Sequence, residues 1–269
     1  MTSPQPDVTP ATGHELSLVL PAYNSSAYIG RNVRRALDFL AAEGIAGEII
    51  VADDGSTDGT AAAVPMADNV RVLRLPHRGK GGALRAGMQA AQGEICAFTD
   101  ADLPYGLQPL PVAMRWIRDR RYHAVVGDRT LPGATYESHG QTRAVLSGMA
   151  SFVFRTIVTG GIYDTQCGLK AFRGDVAREL FTIARVDGFA IDVEILYLML
   201  KYRLDIKRLP VQLESTGPSS VRVVRDSARA VRDVASIRAN WARGRYRSPY
   251  LEQVLRADLE FEAQVAAGR

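Results

Sequence analysis

Phe98-Thr99-Asp100-Ala101-Asp102-Leu103 places two carboxylates one residue apart. It directly follows Gly93-Glu94-Ile95-Cys96-Ala97, a short apolar run that reads as a buried strand. In open α/β sheets, ligands bind beyond the carboxyl ends of the strands. Two acids held there are costly unless a cation pairs with them. A divalent cation meets that need, because Mg²⁺ takes one or two protein carboxylates and completes its shell with water and substrate phosphate oxygens. Alone, Asp-x-Asp is equally compatible with a loop whose acids cap the next helix. The flanking chain has to decide.

Towards the N-terminus the pattern alternates. Glu15 to Pro21, Gly47 to Ala52 and Val70 to Leu75 read as strands. Helices are expected after Tyr23-Asn24-Ser25-Ser26 and through Leu40, with Asn24 or Ser25 as cap, near Thr60, and over Ala83 to Ala91. This β-α-β-α-β-α-β order demands a mostly parallel sheet with right-handed crossovers. The polar loops after the strands then share one edge. Asp53, in Asp53-Asp54-Gly55-Ser56-Thr57-Asp58-Gly59-Thr60, can accept hydrogen bonds from a base or ribose, or simply close a turn. Arg78-Gly79-Lys80-Gly81-Gly82 offers backbone for close approach and two cations near a helix N-terminus. It matches neither the P-loop nor the dinucleotide glycine pattern, since Leu84 stands where the third glycine would be.

Towards the C-terminus, Pro109 to Arg120 reads as a helix and Ala124 to Gly127 as a strand leading to Asp128-Arg129. Leu131 to Gly140 reads as a loop, and Gln141 to Thr159 as an apolar helix interrupted by Arg143 and Arg155. It is a core helix or the wall of an apolar groove. Asp164-Thr165-Gln166-Cys167-Gly168-Leu169-Lys170 follows, then Asp192 and Glu194 at the start of an apolar helix, where the dipole favours acids. A strand near Ile206 to Leu213, a helix from Val223 to Trp241 and an acidic amphipathic tail complete the chain.

A chain of 269 residues with 46% apolar and 23% charged residues suits one large α/β domain with an appended arm. The expected organisation is a disordered N-terminus over 1–14, a catalytic domain over 15–222 and C-terminal helices over 223–269. No run of about eighteen uncharged apolar residues is present, so no spanning helix is expected. Residues 1–13 lack the apolar core of a signal peptide. Cys96 and Cys167 lie in apolar surroundings without metal spacing, as buried thiols of a reducing cytosol would. The net charge of +4 is uneven: Lys201 to Arg247 carries +8, and Leu251 to Arg269 carries −2. Such a basic block suits anionic lipid or phosphorylated substrate, and no nucleic-acid motif accompanies it.

Taken together, Leu20-Pro21-Ala22-Tyr23-Asn24, Val51-Ala52-Asp53-Asp54-Gly55-Ser56-Thr57-Asp58, Gly79-Lys80-Gly81 with Arg85-Ala86-Gly87, and Asp100-Ala101-Asp102 resemble family 2 glycosyltransferases of the GT-A fold. The segments Asp164 to Lys170 and Phe189-Ala190-Ile191-Asp192-Val193-Glu194 look like the dolichyl- or polyprenyl-phosphate sugar synthases, the β-glucosyltransferase branch above all. The resemblance implies a nucleotide-diphosphate sugar donor, UDP-glucose or GDP-mannose, and a polyprenyl phosphate acceptor. It implies Mg²⁺ or Mn²⁺ on Asp100 and Asp102. Pro21, Ala22, Tyr23, Asp53, Asp54, Arg78, Lys80, Gly81 and Ala101 would bind the nucleotide sugar, with Asp164 and Gln166 on its sugar side. Arg129 and Arg143 would meet the donor or acceptor phosphate. A soluble transferase acting on a small hydroxylated acceptor, with Asp192 or Glu194 as base, is the alternative, and a non-catalytic nucleotide-sugar binder is a third class.

The expected location is the cytoplasmic face of a membrane, held peripherally. Arg222, Arg225, Arg229 and Arg232 are spaced 3, 4 and 3 residues apart, which on a helix puts them on one face. Val224, Val231, Val234 and Ile237 lie mostly on another, and the acidic tail is expected to pack on the protein or on a second subunit. Near an anionic membrane each Arg contributes about 1 kcal/mol. The protein should therefore co-sediment with anionic vesicles, less so as salt is added. Changing the four arginines to Glu should abolish this while sparing turnover of a short, water-soluble acceptor. Equal co-sedimentation of both proteins would mark the stripe as solvated surface.

Overall fold

The computed structural model describes residues 13–134, 164, 167–214 and 223–267. Arg143, Gln166, the expected helix over 141–159 and Arg222 lie outside them, as do the side chains of Val224, Arg225, Arg229 and Val231.

Leu16–Ala22 forms strand β1 and Gly47–Asp53 forms β2, both buried along nearly their whole length. Near-continuous burial is the signature of a central parallel strand covered on both faces. Val70–Arg74 (β3), Ile95–Phe98 (β4), Ala124–Asp128 (β5), Lys170–Arg173 (β6) and Ile206–Pro210 (β7) complete one seven-stranded sheet, in the order β3-β2-β1-β4-β6-β5-β7. The half-buried β3 and β7 are its edges. All neighbours run parallel except β6, which is antiparallel to both β4 and β5.

Side chains alternate across the sheet. Leu16, Leu18, Leu20, Ile49 and Val51 point to one core, shared with helices α1 (Ile29–Ala42) and α4 (Pro109–Arg120). Val19, Ile50, Ala52 and Phe98 point to the other. That second core is covered by α3 (Lys80–Ala90), α5 (Gly174–Ile183), α6 (Ile191–Lys201), α7 (Val223–Ala242) and α8 (Pro249–Ala267). Phe98, Phe172 and Phe181 meet there with ring centroids 6.0 Å apart. Val234 and Ile237 of α7 are buried, as their spacing predicts. Leu251 and Val254 of α8 are buried too, so the acidic tail packs on its own domain. A short helix, α2 (Thr60–Ala63), follows the β2 loop.

The lower edge of the sheet is pinned by Glu48, buried on β2. It accepts from Ser17 Oγ at 2.6 Å, from the Gln92 N–H at 2.9 Å, and from Arg71 at 2.6 and 2.9 Å. The upper edge, where β1, β2, β4 and β5 end and β6 begins, collects the polar loops.

Two helix starts differ from the sequence reading. Neither Asn24 nor Ser25 caps α1 with its side chain. The Ser25 carbonyl accepts from the N–H groups of Tyr28 and Ile29, while the Asn24 amide oxygen accepts from the Thr57 N–H. Helix α3 begins three residues early, at Lys80, because Gly81 and Gly82 donate their N–H groups to the Asp187 carbonyl at 2.8 and 3.2 Å.

Glu194 is not available as a base. Its carboxylate accepts from the N–H groups of Arg185 and Val186 at 2.9–3.0 Å and from Tyr246 Oη at 2.5 Å. It straps the segment before α6 to the chain between α7 and α8. Leaving a buried donor unpaired costs about 1–3 kcal/mol. Glu194→Ala should lower the unfolding free energy by about 3 kcal/mol or more on that scale. Urea denaturation reads this directly, and an unchanged midpoint would show the strap to be dispensable.

Candidate active site

The loops after β1 and β2 lace together. Asn24 N–H donates to Ser56 Oγ at 2.9 Å, Ser25 N–H to Thr60 Oγ1 at 2.7 Å, and Ser26 N–H to Asp58 at 3.0 Å. Ser56, Thr57, Asp58 and Thr60 are thereby spent on loop geometry. Asp54 is spent likewise: its two oxygens accept from the N–H groups of Arg78 and Gly79, each at 2.8 Å. Asp53 differs. One oxygen closes the turn by accepting from Ser56 N–H at 3.0 Å, and among the described residues the other accepts nothing. Tyr23 stands 46% exposed beside it in sequence-adjacent strand ends, stacked on His77 with centroids 4.2 Å apart. His77 was not singled out from the sequence; its position in the loop after β3, opposite the strand ends, was the available signal.

The glycine loop does not present its backbone donors to a ligand. Arg78, Gly79, Gly81 and Gly82 all donate to Asp54 or Asp187. A Cβ at Gly81 would overlap the Val186 carbonyl, and one at Gly79 would crowd that of Asp187. Gly81 therefore serves close packing of this loop on residues 186–188. The Arg78 side chain lines a cleft of about 380 Å³ shared with Arg185, Arg232 and Asp233. Ala101 is buried, and its carbonyl accepts from Asn32 Nδ2 at 2.8 Å. Pro21 is half-buried, and the Ala22 carbonyl accepts from the Asp54 N–H at 2.8 Å.

What the loop does deliver is Lys80. Its ammonium lies 2.7 Å from Asp100 and 3.5 Å from Asp192. Burial alone would lower its pKa; the two carboxylates more than reverse that and keep it charged. Asp102 carries no salt bridge among the described residues. Its pKa is raised, first by burial and then by the charge of Asp100. A pair of acids that repel each other, one only partly compensated, fits a divalent cation. No third acid, His or Cys joins them among the described residues. The remainder of a cation's shell would come from water or substrate oxygens, as Mg²⁺ prefers.

Asp164 and Arg129, assigned separately from the sequence, form one bidentate pair. Arg129 Nε and Nη2 donate to Asp164 at 2.7 Å, and the Arg129 N–H adds a third bond at 2.9 Å. Tyr105 lies within electrostatic reach of this pair and of Asp100. A Cβ at Gly168 would overlap the Asp100 carboxylate, which ties Gly168, just before β6, to the acid pair. Cys96 and Cys167 are buried, and burial pushes their thiols up to about 12 and about 11. They are inert at neutral pH.

A sheet with this order, with acids past β4 and an exposed aromatic and Asp53 past β1 and β2, defines a GT-A nucleotide-sugar transferase architecture. A family model described as Glycosyl transferase family 2 matches residues 17–181, and the chain belongs to that family. Among curated proteins, it is 30% identical over 246 residues to a dolichyl-phosphate beta-glucosyltransferase of Dictyostelium discoideum, covering 85% of this chain and 75% of that one. It is 33% identical over 226 residues to the protein of the same name from Drosophila melanogaster, covering 77% and 69%. Among solved structures, it is similar in fold to mannosyl-3-phosphoglycerate synthase from Rubrobacter xylanophilus. The TM-score is 0.64 at 20% identity, covering 88% of this chain and 78% of that one. Glucosyl-3-phosphoglycerate synthase from Mycobacterium tuberculosis, in complex with Mn²⁺, UDP and glucosyl-3-phosphoglycerate, aligns with a TM-score of 0.59 at 19% identity, covering 88% and 86%.

The Arg129–Asp164 pair makes a pH prediction. Burial raises the Asp164 carboxyl, but Arg129 more than reverses this and holds it below the usual range. A carboxylate whose pKa falls on folding contributes stability above its unfolded value, about 4, and loses it as pH drops towards the folded value. Asp164→Asn should therefore destabilise the protein at pH 7. The gap in urea midpoint between wild type and variant should close as pH falls below about 4. A gap independent of pH would show that the pair is not the source.

Proposed function

We propose that this glycosyltransferase moves a hexose from a nucleotide-diphosphate sugar to a polyprenyl phosphate, with inversion at the anomeric carbon. Glucose is the favoured sugar, because the relatives it resembles are named beta-glucosyltransferases of dolichyl phosphate. The observation that carries the acceptor class is the commitment of the candidate bases. Glu194 is saturated by three donors, and Asp192 is buried between two lysines. A hydroxyl acceptor needs a base to take its proton. A phosphate monoester, with a second pKa of about 6, is already largely dianionic at neutral pH. It needs cations to position it instead.

In this reading the exposed face of Tyr23, the open oxygen of Asp53 and the Pro21 backbone hold the base and ribose. His77 fixes the plane of Tyr23 by stacking. Asp100 and Asp102 would hold Mg²⁺ or Mn²⁺, which when bound would supply Lewis-acid charge to the donor diphosphate. Lys80 adds a cation at the same edge. An acceptor phosphate oxygen attacks the anomeric carbon from the opposite face; the bond to the diphosphate breaks, and the nucleoside diphosphate leaves with the electron pair. Arg129, oriented by Asp164, and Arg143 serve the acceptor phosphate. No helix among the described residues is long and apolar enough to cross a membrane. Arg222, Arg225, Arg229 and Arg232, at helical spacing in the sequence, are the proposed contact with the bilayer that holds the acceptor.

The test is incubation with a panel of nucleotide sugars and a short polyprenyl phosphate, with products read by mass spectrometry. The expected product is a β-linked hexosyl polyprenyl phosphate. Excess EDTA should stop its formation, and Asp102→Asn should remove most activity while leaving thermal unfolding cooperative. Product from a hydroxylated acceptor alone, or full activity in EDTA, would refute the corresponding half of the reading.

A further inference from the structure

Four charges stand in file from the donor edge into the core. Asp100 Oδ1 lies 2.7 Å from Lys80 Nζ, which lies 3.5 Å from Asp192 Oδ2. Asp192 Oδ1 in turn lies 2.5 Å from Lys170 Nζ. Lys170 also donates to the Cys167 carbonyl at 2.7 Å and rests 5.4 Å from the centre of the Phe98 ring. Side-chain exposure falls along the file, from 36% at Asp100 to 14%, 4% and 0%. The signs alternate and cancel.

Asp192 and Lys170 are too deep to touch a substrate. A buried ion pair is also a poor stability device, since apolar residues of like volume often serve as well. Its use is to be sought at the open end of the file. There Lys80 faces a conflict. If Asp100 is to turn to a divalent cation, Lys80 has to leave it, or its own charge opposes the incoming ion. A buried ammonium cannot leave one counterion without another.

We infer that Asp192 and Lys170 are positioning residues that make Lys80 a two-partner cation, able to release Asp100 to a divalent ion because Asp192 stands ready behind it. This rests on the donor reading above. Lys170 holds Asp192 in place for the exchange. With the Asp192–Lys170 pair removed, Asp100 is the one salt-bridge partner left to Lys80 among the described residues, and Lys80 then stays clamped on it and competes with the ion.

The consequence is a reversal of sign that a merely structural pair would not give. Mn²⁺ binding is measured from the loss of the free-ion electron paramagnetic resonance signal, without substrate. Asp192→Asn combined with Lys170→Met should bind Mn²⁺ about 10-fold more weakly than wild type, the size of one charge-assisted contact. Adding Lys80→Met should restore the affinity, although Lys80→Met alone should not weaken it. Should the combined variant not unfold cooperatively, Asp192→Asn combined with Lys170→Gln, which puts a neutral hydrogen-bonding pair in place of the ion pair, takes its place with the same loss and the same recovery expected. Wild-type affinity in these variants, or failure of Lys80→Met to restore it, overturns the inference, as does a wild type that binds no Mn²⁺. Hexose transfer to polyprenyl phosphate is scored separately. Transfer without the Mn²⁺ pattern sinks this inference alone, whereas the Mn²⁺ pattern without transfer sinks the functional reading alone.

Discussion

An ammonium with no access to water stands at the head of β6. Lys170 is paired there with Asp192, 2.5 Å away, and Asp192 is itself buried beside a second lysine. Burial by itself would raise the Asp192 carboxyl; Lys170 and Lys80 reverse this and keep it ionised. Breaking one member of such a set leaves an uncompensated interior charge, so the partners are held as a group. The group spans three elements far apart in sequence: the start of α3, the start of β6 and the first turn of α6. Its requirement for neutrality fixes how those elements meet the donor edge.

The reversal of β6 makes this possible. In an all-parallel sheet, the first residue of a strand lies on the edge opposite the ligands. Because β6 runs antiparallel, Lys170 pairs in register with Phe98, two residues before Asp100. The preceding segment with Asp164, Cys167 and Gly168 is delivered to the same edge. One reversed strand thus joins the nucleotide half, built from β1 to β4, to the acceptor half beyond β5.

The two edges of the sheet divide the labour. At the lower edge Glu48 gathers Ser17, Arg71 and Gln92 into a closed set of bonds. At the upper edge the same chemistry is left incomplete among the described residues, with one oxygen of Asp53 open and Asp102 without a salt bridge. Polar groups satisfied on one side and unsatisfied on the other separate scaffold from site.

Much of this was legible in the sequence. The apolar runs β1, β2 and β4, the helix Pro109–Arg120 and the placing of Asp53, Asp100 and Asp102 at strand ends follow from hydrophobic periodicity, which is local. The motif set carried the family. Only the tertiary structure decided what each polar residue does, because a hydrogen-bond partner is a matter of distance in space. Gly81 reads as a ligand-approach glycine until Val186 is found against it. Asp54 reads as a nucleotide ligand until the Arg78 and Gly79 N–H groups are found on it. Arg129 and Asp164, 35 positions apart, read as two separate contacts and are one bidentate pair. Periodicity along the chain records which side chains must be buried. It holds no record of which buried charges neutralise one another, and that pairing selected Lys80 and Asp100 from the many polar residues of the edge.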